Sequence, residues 1–533
     1  MAEIHQAVLG RRRFLASLGI ITGGVALVPV LAGCGDDSTP AQQPTQQPTQ
    51  QPTQRKGGTV IFGVTSISPY VNPLTSTNSR IQWVTDPIVE SLYTYDDALN
   101  SVPLLADGEP EVSSDGLTWT IKLKSGVKFS NGDDLTADHV VAVLKFVSDP
   151  KSFSDWTSYF ASYVKEVKAV DSSTVRISLS KPYGVMRSHL TNLPIVHKDF
   201  VTKTDSTVGT GPFKIDKLVQ EQSVDLVANE SYNGTRSWLD GVRFTAIPEP
   251  ATRLVNLREG KIHVMTDVPP ESLAALQGDA GIKVHSVAAP LDIMTYFVAN
   301  KPPFDDPRLR KAIAHAMDRK GVRDVVYAGT AQIAQGPINP SQEGHNPGSA
   351  NYSEEPDVEA AKALMAEAGV DTIEFSLMIS NTSNTMKNVG QVLVEGWKKA
   401  GINATLETLD TGAWVTNWGS GKYQLAMTLY ESGFGGGRTC FTAITTKHSG
   451  HPLNFGYANP QVDRLMDEAW QTPDEAERTA KCKEIDALLA DDAIGIPPVY
   501  PKFIVAQRTD VTSLDEGLMS IGRLKAAPLR MQA

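Results

Sequence analysis

Ile373-Glu374-Phe375-Ser376-Leu377-Met378-Ile379 is followed by a helical stretch from Met386 to Ala400, then Gly401, then Ile402-Asn403-Ala404-Thr405-Leu406. The first run has the length of a strand and the second the length of a helix, with Gly401 as its stop. The last run alternates apolar and polar residues as a half-buried strand does. Strand, helix and strand in that order is βαβ grammar, which predicts a sheet with helices on its faces and a ligand-accepting edge at the strand ends. The same grammar extends on both sides. Asp306-Pro307 can cap a helix whose apolar face is Leu309, Ala312, Ile313, Ala316 and Met317. Asp357 opens another, with Ala361, Leu364, Met365 and Ala368 on one face and Gly369 as its C-cap, and Tyr423 to Leu429 predicts a further strand.

Toward the N-terminus the pattern becomes richer in strands. Gly57 to Val64 predicts the strand that opens the globular region. Leu117, Trp119, Ile121 and Leu123 alternate with polar residues after the turn Ser113-Ser114-Asp115-Gly116, and Val175, Ile177 and Leu179 do likewise. Between them Thr136-Ala137-Asp138-His139-Val140 opens a helix with Val140, Val143, Leu144 and Val147 at helical spacing. The folded part therefore reads as α/β throughout. Its 533 residues are enough for several cores, and 41% hydrophobic with 20% charged is ordinary globular composition, which excludes a polytopic membrane protein and a wholly disordered chain. The net charge of -11 leaves no electrostatic footprint for nucleic acid. Cys34, Cys440 and Cys482 form no C-x-x-C pair, so a disulfide framework and a structural zinc site are both excluded.

The N-terminus is an address and a tether. Arg11-Arg12-Arg13-Phe14-Leu15 leads into an apolar stretch through Ile20, Val25, Leu27 and Leu31, as in a secretory signal over residues 1–33. The arginines and Phe-Leu resemble a twin-arginine export signal, and equally suit the basic start of ordinary secretion. Leu31-Ala32-Gly33-Cys34 resembles the bacterial lipobox, which implies a diacylglyceryl group on Cys34 and two acyl chains for stable attachment. Residues 34–57, with Gln-Gln-Pro-Thr three times over from Gln42 to Thr53, hold nothing that builds a core. In extended polyproline geometry they reach about 70 Å, a spacer between membrane and folded domain. The expected location is the extracytoplasmic face of the cytoplasmic membrane, where a Cys440–Cys482 disulfide is permitted.

Catalytic signatures are missing: the chain has no G-x-S-x-G, H-E-x-x-H or complete phosphate-loop motif. Gly433-Phe434-Gly435-Gly436-Gly437-Arg438 follows a strand, where backbone amides can face a ligand as readily as form a plain loop. His448 and His451 are the one close histidine pair, without a neighbouring carboxylate to complete a metal site.

Six stretches then fall in one order. They are Pro103-Leu104-Leu105-Ala106, Val112 to Trp119, Leu123 to Gly132, Gly209-Thr210-Gly211-Pro212-Phe213, Asn229-Glu230-Ser231-Tyr232-Asn233-Gly234, and Arg308 to Arg319. Together they resemble family 5 of the bacterial solute-binding proteins, the peptide- and nickel-binding components of ATP-binding-cassette importers, over about residues 58–530. The resemblance implies a two-lobed periplasmic-binding-protein clamp, type II-like, with an extra subdomain inserted in the first lobe. The first lobe is expected over 58–295 with the subdomain at about 93–200, the second over 296–497, and a return to the first over 498–533. The chain crossings fall near Pro290–Asn300 and Ile496–Phe503.

What the resemblance implies for function is a monomeric receptor, without cofactor or catalytic activity. It captures a short peptide or peptide-like solute and hands it to permease subunits coupled to ATPases. Tyr159, Trp414 and Tyr500 match cleft positions of the family. Peptide-binding members carry a Gly-Trp pair after a strand like Tyr423–Leu429, then an Asp that holds the peptide amine. Here Leu429-Tyr430 and Gly433 stand at those places. That leaves Tyr430 and Glu431 as candidate contacts, with Arg438 as a candidate carboxylate clamp. Counted from Tyr430, His448 falls where nickel-binding relatives carry a histidine near a metal chelate, so a chelate receptor is the alternative within the family. A receptor that senses without transporting, or an extracytoplasmic enzyme, is the alternative outside it.

Overall fold

The computed structural model describes residues 54–75, 79–96, 100–289, 291–381, 383–431, 456–517 and 524–532. Three sheets organise it. The largest has seven strands in the order Phe213–Val219, Ser223–Ala228, Gly241–Ala246, Thr59–Val64, Val264–Met265, Lys502–Arg508 and Ile282–Ala288. The opening strand Thr59–Val64 lies at its centre, parallel to both neighbours. Val60, Phe62 and Val64 are buried there, as expected of a strand covered on a face.

A second sheet orders Leu291–Phe297, Leu425–Glu431, Ile373–Ser380 and Ile402–Leu409. Its last two strands pair in parallel from Ile373↔Ile402 to Ser380↔Leu409, with the helix Asn384–Lys398 between them in sequence. This is the predicted βαβ unit. Gly401 has φ +82° and Gly369 φ +77°, left-handed values that make glycine the natural stop after each helix. Asp306 and Asp357 cap as expected, accepting from the N–H groups of Arg308 and Ala360.

Alternation along these strands sorts the two faces. Ile293, Phe297, Leu377, Ile379, Leu425 and Met427 join one core with Leu309, Ile313, Leu393 and Trp397 of the covering helices. Met294, Tyr296, Met378 and Ala426 point the other way, into a core shared with residues of the large sheet and the N-terminal half. One face of the second sheet is thus closed by its own helices, and the other is turned toward the rest of the molecule.

The third sheet is an antiparallel set of Glu111–Val112, Thr118–Lys122, Thr174–Leu179 and Val164–Asp171. The helix Ala137–Ser148 packs against it through Val140, Val143, Leu144 and Val147, all fully buried.

Two of the stretches that carry the family resemblance meet at Glu90. The hydroxyls of Thr210 and Tyr232 donate to the two carboxylate oxygens of Glu90, at 2.9 and 3.1 Å. Burial pushes the Glu90 carboxyl upward in pKa, and these two donors offset part of that cost. Gly209 and Gly211 lie flat against Ile88, where an added Cβ would stand 2.2 Å from Ile88 O and 2.7 Å from Ile88 C, so neither position has room for a side chain. Arg319, fully buried, donates to Ala314 O at 2.8 Å, and Arg310 to Phe304 O at 2.7 Å. The family wording encodes backbone approach and buried polar pairing.

Candidate functional site

Of the expected aromatics, Trp414 packs at the inward face of the second sheet, beside Trp418 and Tyr296. Asp410 caps the helix Thr411–Gly419 by accepting from Ala413 N–H at 3.0 Å. Trp414 and Trp418, one turn apart on that helix, stack with centroids 5.4 Å apart and planes at 20°. Trp418 in turn lies 6.0 Å from Tyr296 on the sheet. Trp414 is 7% exposed, and its indole N–H has no acceptor among the described residues.

Tyr159 approaches from the antiparallel subdomain, half-buried against the same core. Its ring packs on His189 at 4.8 Å. His189 is fully buried, with Nδ1 2.8 Å from the Tyr183 hydroxyl, and burial drops its pKa to about 3, so the ring is neutral at physiological pH. Tyr183 stacks on Tyr163 at 3.8 Å and 11°. Tyr159 therefore stands on a rigid ladder of rings rather than on a mobile loop.

Tyr500 takes a different part. It is buried, and its hydroxyl lies 2.6 Å from Gly336 O and 2.9 Å from Ile338 O, its single proton shared between them. It braces the 336–345 segment from below. Tyr430 and Glu431 end the strand Leu425–Glu431, in register with Asp292 and Leu291. Cys34, Arg438 and His448 lie outside the described residues.

Sequence reasoning missed a cavity of about 480 Å³ lined by residues from three separate parts of the chain, within 95–188, 340–345 and 473–483. Tyr95, Trp119 and Arg187 line it on one side, and Glu343, His345 and Arg478 on the other. Arg478 and Glu343 form a buried ion pair at 3.0 Å, to which the Thr479 hydroxyl adds a donor at 2.9 Å. Arg187 is held by Glu109 and by Ser101. His345 Nδ1 lies 2.8 Å from Ile338 O. Below it Asp486, fully buried, accepts from Ile338 N–H at 3.0 Å, and burial pushes its carboxyl up to about 7. Partners 135 residues apart, as Glu343 and Arg478 are, carry no local signal that a sequence reading can use.

Among the described residues no group of three or more His, Cys, Asp or Glu side chains is placed to hold a metal ion. No helix among them is long and apolar enough to cross a membrane. Cys482 is buried and disulfide-bonded, while Cys440 lies outside the described residues.

Residues 100–449 match the model of the bacterial extracellular solute-binding proteins, family 5 Middle, and the chain belongs to that family of non-catalytic binding proteins. It is similar to the glutathione-binding protein GsiB of Escherichia coli strain K12, 26% identical over 478 residues that cover 85% of this chain and 91% of that protein. Its fold matches the periplasmic binding protein DppA from Helicobacter pylori, solved with the peptide STSA, at TM-score 0.74 and 23% identity over 90% of this chain and 99% of the other. The substrate-binding protein CtaP from Listeria monocytogenes matches at TM-score 0.80 and 22% identity, over 90% of this chain and all of that one.

Proposed function

We propose that the chain is the membrane-tethered receptor of an ATP-binding-cassette importer, taking a short peptide or a peptide-like solute such as glutathione between its lobes. The observation that carries this reading is the sheet face bearing Tyr296, which meets Trp418 of the helix Thr411–Gly419, on which Trp414 stacks, and shares a core with the N-terminal half. Aromatic faces offer large contact area at low entropy cost and accept varied solute side chains. A separate polar cavity, lined by Arg187, Glu343, His345 and Arg478, supplies hydrogen-bonding groups, which a buried peptide backbone needs. GsiB is a glutathione-binding protein and DppA was solved with a peptide, which supports this solute class. Gly433 in place of the family's Asp removes a fixed charge for the peptide amine, so affinity rests on main-chain hydrogen bonds and ring contacts.

The lobes are assigned to 58–295 with 498–533, and to 296–497, with the subdomain at about 93–200. Diacylglyceryl on Cys34 and the tether to residue 57 hold them at the extracytoplasmic membrane face.

Titration calorimetry with glutathione and short peptides tests the solute. Trp414→Ala should weaken uptake at least tenfold, more than Glu431→Gln does, and the reverse ranking would return the account to a charge-anchored amine. Detergent phase separation tests the tether. The wild-type chain should enter the detergent phase and Cys34→Ala the aqueous phase; a wild-type chain left in the aqueous phase would remove the anchor.

A further inference from the structure

Gly184 lies in the subdomain between the strand Thr174–Leu179 and the helix Met186–Asn192. Both of its backbone groups are satisfied by the second lobe. Its N–H donates to Trp470 O at 2.7 Å, and Arg478 Nη1 donates to its carbonyl at 3.0 Å. Trp470 lies at the end of the helix Pro460–Gln471, and Arg478 in the first turn of Glu475–Asp491. The far end of that second helix is fixed to the second lobe, through Lys311 and Asp491 at 2.9 Å and the Tyr352 hydroxyl to Ala490 O at 3.3 Å.

We propose that Gly184 and Arg478 form a clasp that sets how much of the receptor is closed, and through that its affinity for solute. This regulates the solute cleft assigned above and rests on that assignment. Three observations argue for it. The first is fit: a Cβ at position 184 would stand 2.0 Å from Thr472 O and 2.5 Å from Thr472 C, both backbone atoms that cannot swing aside. The second is orientation. Arg478 Nε bonds both oxygens of Glu343 at 3.0 and 3.1 Å, while its Nη1 also bonds Thr472 O and Pro473 O at 3.1 Å, so the guanidinium is preset to meet the Gly184 carbonyl. The third is connection. Glu343 belongs to the segment braced by Tyr500 and Asp486, and Tyr183, next to Gly184, contacts the His189 ring that carries Tyr159. Opening the lobes breaks both bonds to Gly184 at once. Because apparent affinity scales with the fraction in the binding-competent state, losing the clasp weakens binding.

Gly184→Ala tests this in the full chain, with Gly278→Ala as control, because a Cβ at Gly278 meets nothing within 4 Å. The probes are glutathione and the tetrapeptide Ser-Thr-Ser-Ala. Gly184→Ala should melt as the wild type without probe, since the clash lies between lobes, and should bind the probes at least tenfold more weakly. Hydrogen exchange over residues 183–186 and 470–479 should slow on probe binding in the wild type and in Gly278→Ala, and not in Gly184→Ala. If Gly184→Ala misfolds, Arg478→Lys decides. It keeps a cation beside Glu343, loses the fork, and should bind at least threefold more weakly. Wild-type affinity in the folded variant overturns the clasp. A wild-type chain that takes neither probe instead overturns the solute reading, and the clasp falls with it as a regulator of affinity.

Discussion

Asp486 concentrates the chemistry of the region around the cleft into one side chain. Its carboxyl is out of water, receives the Ile338 N–H, and is pushed up to about 7 by burial. In the unfolded chain a carboxyl loses its proton near pH 3.9. Between these values the folded protein holds a proton that the unfolded chain has released, so this group's contribution is fully present below about pH 4 and is lost as pH rises through 7. Asp486→Asn removes the titration and keeps an acceptor for Ile338. The variant's melting temperature should gain on the wild type as pH is raised from 5 to 7.5, by about 2 °C at the upper end. His189, with its pKa lowered to about 3, has the opposite dependence, losing stability as pH falls below 6.5, but it is common to both proteins and cancels in the difference. A difference between variant and wild type that is flat across this range would contradict the buried, protonated carboxyl.

At the scale of elements, the parallel unit over 373–406 was legible because local length, alternation and stops all agreed. Ile373–Ser380 and Ile402–Leu409 form with a helix between them, and Gly401 and Gly369 take positive φ. The helix beginning after Thr136 was legible for the same reason, and His139 completes its start by accepting from Thr136 N–H at 3.2 Å. Pairings between distant segments were not legible. Glu90 meets Thr210 and Tyr232 from 120 and 142 residues away, and no pattern within a window announces it. The family motifs marked both partners without saying what they touch. Tyr159 and Tyr500 show the same limit at the site: their residue type and family position suggested ring surfaces for a solute. In the structure one rests on His189, and the other spends its hydroxyl on two carbonyls of a neighbouring segment.

For the whole molecule, a family of solute-binding proteins is joined to two surfaces that differ in kind, an aromatic sheet face around Tyr296, Trp414 and Trp418 and a polar cavity lined by Arg187, Glu343, His345 and Arg478. That combination suits a solute with a peptide backbone and apolar side chains better than a bare ion. Native mass spectrometry of the full chain, released from membranes in detergent and purified without denaturant, reads directly what the cleft holds. The account predicts bound mass that resolves into short peptides or glutathione and is lost on unfolding. A bound transition metal that disappears in His448→Ala would contradict it and make the chain a chelate receptor.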